Sequence, residues 1–164
     1  MTKNELTTFI ATWNAEAQDT VKVLRTLPQD QAEFRADPKG WKLGDLAWHL
    51  AQLDHLISHA LSTGAFDFTV KPEHPKTLAE MPAAYERVHA ESVARIEKLG
   101  PAELERPLPS PMGGGVPVRS VLWNWLLHHL IHHRGQLVLM IRLAGGTPPG
   151  LYGPTREQME ARRG

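Results

Sequence analysis

Four stretches of this 164-residue chain repeat apolar residues at helical spacing, and each is closed off by proline or glycine. That pattern leaves few folds open. An amphipathic helix must bury its apolar stripe, and four such helices joined by loops bury theirs most simply against one another. The first stretch runs from about Asn4 to Thr26, with Leu6, Phe9, Ile10, Trp13, Ala17, Val21 and Leu24 in register, and stops at Leu27-Pro28. Thr2, with Glu5 three positions on, has the form of a capping box. Pro38 and Gly40 mark the turns before a second helix, Leu43 to Leu61, which stops near Gly64. A third, from Leu78 to Leu99, opens on Thr77 and Glu80 and ends at Gly100-Pro101. It is the most polar of the four and is expected to keep one face in water. Residues 101–117 hold five prolines and Gly113-Gly-Gly115, so they read as a loop. The fourth helix runs from about Val118 to Ala144, followed by an extended tail and a short helical turn over Arg156 to Arg162. No repeat and no strand pattern of consequence interrupts this plan. The expectation is an all-α four-helix bundle, one domain over residues 1–164.

Composition narrows the function. Lysine and arginine together equal aspartate and glutamate at 18 each, so no general charge draws the chain to nucleic acid or anionic lipid. With no cysteine there is no disulfide, no thiolate metal site and no cysteine nucleophile. Any thiol chemistry needs a thiol from outside. The N-terminal residues lack a basic segment followed by an apolar run, and no stretch approaches the ~18 apolar residues of a membrane span. The expected location is therefore cytoplasmic, with no membrane and no nucleic acid as partners.

Four of the nine histidines fall between positions 128 and 133. Ring nitrogens four residues apart on a helix lie one turn apart on the same side, where two can hold one metal ion. His128/His132 and His129/His133 both have that spacing, but they differ in their neighbours. Counting 100° per residue places Leu122, Trp125, His133, Gln136 and Met140 within about 40° of His129, while His128 lies near 100°. The His129/His133 pair thus shares a stripe expected to face the bundle interior. On the second helix the same count puts His49 with Asp45, Leu53, Leu56 and Ala60. His49, His129 and His133 meet if the second and fourth helices are neighbours. A histidine on an apolar face is also commonly a core residue with one hydrogen-bond partner. His55 and His59 point elsewhere and read as a solvated face; His74 and His89 receive no role.

The element His129-x-x-x-His133-Arg134-Gly135-Gln136, the earlier Leu43-Gly-Asp45-Leu-Ala-Trp-His49, and the closing run from Leu143 to Pro154 resemble the DinB family (DinB/YfiT-like) of bacterial metal-binding proteins. The resemblance covers most of the chain. It implies a four-helix bundle, commonly a homodimer, with a divalent metal held by three histidines, which here are His49, His129 and His133. The family name refers to induction by DNA damage, a stress response, and identifies no reaction. Some relatives are thiol-dependent transferases or isomerases using bacillithiol or mycothiol, and others are described as hydrolases.

Three neutral imidazoles leave Zn²⁺, Ni²⁺ or Fe²⁺ with a position open to water or substrate, the arrangement of a catalytic site. The leading expectation is a metal-dependent enzyme on a small molecule, either an S-transferase using an external low-molecular-weight thiol or a hydrolase. The rival is a non-catalytic, stress-associated dimer that the metal stabilises, with Asp45 or His132 closing the coordination. Asp45 and Gln136 are the candidates to orient the ligand imidazoles; their plainer readings are a helix N-terminal acid and a polar residue at the bundle end. No general base is named. Arg134, about 140° from His129, points away from the metal, and Gly135 is read as permitting close helix packing. Trp123, Leu127, Leu130, Ile131, Val138 and Ile141 make the far side of the last long helix apolar too. That side needs a cover, and a symmetric homodimer is the favoured one, with the proline-rich tail as its competitor.

Overall fold

The computed structural model describes residues 3–163, the side chains of Lys3, Asn4 and Pro101 excepted. Helix α1 (Lys3–Leu24) buries Phe9, Trp13, Ala17, Val21 and Leu24, the stripe its spacing predicts. Thr2 of the expected capping box lies outside the described residues. Helix α2 (Leu43–Thr63) ends where Gly64 turns left-handed at φ 88°, its N–H bonded to the Ala60 carbonyl at 2.8 Å. A 3₁₀ turn (Leu78–Glu80) leads into α3 (Met81–Ile96), and the Glu80 carboxylate accepts from the N–H groups of Lys76 and Thr77.

Residues 101–117 are more ordered than a plain loop. They form a 3₁₀ turn (Pro101–Glu105) and a short antiparallel pair, β1 (Pro107–Pro109) with β2 (Gly115–Pro117), Leu108 opposite Val116. Proline is tolerated here because it sits at the ends of three-residue strands, where a missing N–H costs little. Gly113 and Gly114, both at positive φ, reverse the chain between them.

The last long helix, α4 (118–143), is helical throughout but not uniform. An α-turn (Val118–Ser120) passes into a π-helical stretch (Val121–His128), and regular α-helix resumes over His129–Leu143. The change of pitch means that 100° counting does not carry across His129. The apolar face expected to seek an outside cover is the face that enters the core: Leu127, Leu130 and Ile141 are buried, along with Leu126, Arg134 and Leu137. The histidine stripe is only partly interior: Leu122 and Met140 are buried, His129 and His133 half-buried, and Gln136 exposed. Gly135 is exposed as well, and a Cβ there would meet nothing within 4 Å, so no helix of this chain packs on it. A terminal helix, α5 (Arg156–Ala161), is capped by the Thr155 side chain.

The four long helices form a ring in which α2 lies between α3 and α4, and α1 closes on the other side of both. Their interior holds two apolar clusters, one around Leu24, Trp48, Tyr85 and Ile141, the other around Phe9, Trp13, Leu122 and Leu130. Polar side chains are buried where the clusters meet. Asp54 accepts hydrogen bonds from His89 Nδ1 (2.8 Å) and Trp13 Nε1 (3.3 Å), and His89 Nε2 lies 2.9 Å from Asn14 Oδ1. Burial pushes the Asp54 carboxyl up, and the bond from His89 pulls it back. Arg134 is buried against α1, bonded to the Glu16 carboxylate, the Glu16 carbonyl and the tail residue Tyr152.

His55 departs from the expected solvated face. It is buried, and its ring stacks on His59 with centroids 5.9 Å apart and planes at 6°. The reason is that α2 packs against both α3 and α4, so its buried arc is wider than one stripe. Among the described residues no helix is long and apolar enough to cross a membrane.

Candidate metal centre

The neighbouring of α2 and α4 brings together the three histidines that the sequence can only place on separate helices. His49, His129 and His133 each offer a ring nitrogen, and these atoms all lie within 4.8 Å of one another. The His49 ring stands perpendicular to that of His133 at 4.7 Å between centroids and lies 5.8 Å from that of His129. One helical turn apart on α4, the Nε2 atoms of His129 and His133 face each other at 2.6 Å.

The electrostatics hold these rings neutral. Burial, then repulsion from His133 and His129, lowers the His49 pKa to about 4. Burial also lowers His129 and His133; a bond to the Trp125 backbone opposes this at His129, and the bond to Gln136 opposes it at His133. A neutral imidazole is the form that ligates a metal. At His133 the tautomer is fixed as well. Its Nδ1 lies 2.7 Å from Gln136 Oε1, which only accepts, so Nδ1 carries the proton and Nε2 keeps its lone pair toward the other rings. The three ring nitrogens could therefore hold a metal ion.

Of the two orienting candidates, Gln136 is hydrogen-bonded to one of the three histidines, His133, and Asp45 is not. Asp45 is exposed, and among the described residues no hydrogen bond joins it to any of the three histidines. It sits in the first turn of α2, where an acid complements the helix dipole. His132 lies against His133 at 5.1 Å between centroids, outside the converging set. No fourth imidazole or carboxylate joins the three among the described residues.

Two features escape the sequence. Trp41, at the end of the Pro38–Gly40 connector, lays its ring 5.0 Å from that of His49 and 6.4 Å from that of His133 while staying 47 % exposed. A tryptophan in a turn-rich connector is the one sequence signal that could have pointed there. Phe68, in the loop after α2, is 56 % exposed and separates two cavities of about 190 and 340 Å³ that open beside the histidines. His49 lines the smaller and His129 the larger.

The DinB family model matches residues 1–164. The chain is 29 % identical over 153 residues to the uncharacterized protein YrdA of Bacillus subtilis, covering 92 % of this chain and 89 % of that one. Among solved structures, a DinB-like protein of Bacillus cereus superposes with a TM-score of 0.73 at 26 % identity, covering 88 % of this chain and 95 % of the other. The DinB-like YjoA of Bacillus subtilis gives 0.74 at 19 % identity, over 90 % and 98 % of the two chains, a likeness of fold.

Proposed function

The chain belongs to the DinB family, and from that premise we propose that it is a metal-dependent enzyme acting on a small molecule, its divalent cation held by His49, His129 and His133. The observation that carries this reading is the convergence of three neutral imidazoles beside a cleft, with no fourth protein ligand among the described residues. A cation bound there supplies Lewis acidity, which acidifies water or binds a thiol as thiolate. The chain's own part is to position and to exclude. Gln136 holds the His133 tautomer, the bond to the Trp125 backbone holds His129, and Trp41 shields the His49 side from water. Either hydrolysis or transfer to an external thiol suits such a site, and the absence of cysteine means that the thiol comes from a cosubstrate. Zinc and nickel suit the donor set best, and iron is also accepted. A homodimer is part of the proposal, formed through the exposed stripe of α4 that carries Leu139 and Leu143, 59 % and 57 % exposed.

Chelator-treated protein titrated with Zn²⁺ or Ni²⁺ in a calorimeter is expected to bind one ion per chain, and His49→Ala or His133→Ala is expected to abolish that binding. Absence of saturable binding in the folded parent protein sinks the metal centre. The open position is tested with Co²⁺-loaded protein, whose visible spectrum is expected to shift when azide or a thiol is added. An unchanged spectrum replaces the enzyme with a metal that only stabilises the bundle.

A further inference from the structure

The two cavities beside the histidines differ in character. The larger, about 340 Å³, is walled by Leu53, Leu56, Phe66, Phe68 and Trp125 and reaches His129. Its volume alone falls in the ~300–1,000 Å³ range of small-molecule sites. The smaller, about 190 Å³, is lined by both His49 and Lys71 and shares Leu53, Leu56 and Phe68 with its neighbour. Lys71 is the one lysine, arginine or carboxylate among the residues lining either cavity, and it makes no ion pair among the described residues. Phe68 stacks on Phe66 at 6.2 Å with planes 17° apart, and Phe66 lies 5.8 Å from the Trp125 ring. Met112, 88 % exposed, stands at the rim of the larger cavity. An apolar patch of this kind, contiguous with a polar centre and left in water, is the signature of a surface kept for a ligand.

We propose that the site takes a small molecule with an apolar, ring-bearing body and a single anionic end. The body occupies the larger cavity against Phe66 and Trp125, the anion meets Lys71, and the middle of the molecule lies at His49 and His129. For the chemistry at that middle the proposal rests on the metal-dependent reading; for binding it rests on the cleft alone. Phe68 is the wall common to both halves and contacts the ligand on either side. The lysine selects charge and the aromatic wall selects shape, so the two contributions separate by mutation.

Phenylbutyrate and its uncharged amide serve as probes, titrated into chelator-treated protein and followed by calorimetry and tryptophan fluorescence. Phenylbutyrate is expected to bind about threefold to fivefold more tightly than the amide, the scale of one exposed ion pair. Lys71→Gln is expected to remove that preference and leave the amide unaffected, whereas Phe68→Ala weakens both probes. Equal binding of acid and amide, a preference that survives Lys71→Gln, or no binding of either at millimolar concentration overturns the proposal. Zinc is titrated separately on the same samples. Charge-selective probe binding without zinc binding leaves the cleft standing and removes the metal reading; zinc binding without charge-selective probe binding does the reverse. Both substituted residues are exposed, and circular dichroism verifies that the variants fold.

Discussion

Gln136 determines what His133 can do. Its amide oxygen accepts a hydrogen bond from the Nδ1–H of His133, which leaves the Nε2 lone pair free and aimed at the other two rings. Partners of this kind typically account for 10–100-fold in metal affinity. Gln136→Ala is therefore expected to weaken zinc binding by about that factor, with the fold unchanged because the residue is exposed. His132→Ala, which removes a ring outside the converging set, is expected to keep zinc affinity within about twofold, and competition with a fluorescent chelator measures both. A loss at His132 equal to the loss at Gln136 would mean that the wrong histidines have been identified. The two residues were not equally legible. Gln136 could be placed near His129 by angle, while Asp45, on the right face of its helix by the same count, faces water. Angle gives direction and says nothing of reach.

At the scale of elements, the helices were legible because their ends are chemical events. Gly64 stops α2 by adopting φ 88°, a conformation that penalises any residue with a Cβ. Gly64→Ala is expected to cost about 1–2 kcal/mol of stability, read as a lower urea midpoint at unchanged slope. What could not be read was the interior of α4. Nothing in Val121–His128 marks a π-helix in composition, and its wider turn rotates everything before His129 relative to everything after it. The histidine stripe is expected to be interior along its whole length, whereas Leu122 and Met140 are buried, His129 and His133 half-buried and Gln136 exposed. On the far side of α4, Leu127, Leu130 and Ile141 are buried in the chain's own core, and Trp123, Ile131 and Val138 are half-buried. His89 and Asp54 were illegible for another reason: they come from α3 and α2, and only the assembled bundle makes them a pair.

For the whole molecule, the neutral histidines make stability depend on acidity. The unfolded chain takes up a proton at each near the ordinary value of 6.5, whereas folded, metal-free His49 resists protonation down to about 4. His129, His133 and His55 shift the same way, chiefly through burial. A lowered histidine pKa contributes stability that is complete above the unfolded value and is lost as the solution acidifies. Chelator-treated protein is thus expected to melt at a lower urea concentration at about pH 5 than at about pH 7.5, and zinc at the higher pH widens the gap. Asp54, raised by burial, works in the opposite direction and blunts the effect at the acid end. An unchanged midpoint across that interval contradicts the burial assigned to these rings. The tail shows how far the sequence reached at this scale. Its extended course and last helical turn were expected, but its fastening to the core through Tyr152, Arg134 and Glu16 joins three distant segments and has no local signature.

The candidate ligands are divided between two helices, one imidazole on α2 and two on α4. On the proposed function, a bound cation is a reversible cross-link along the seam between those helices. Separating those helices requires giving up the ion, so occupancy and integrity of that seam rise and fall together.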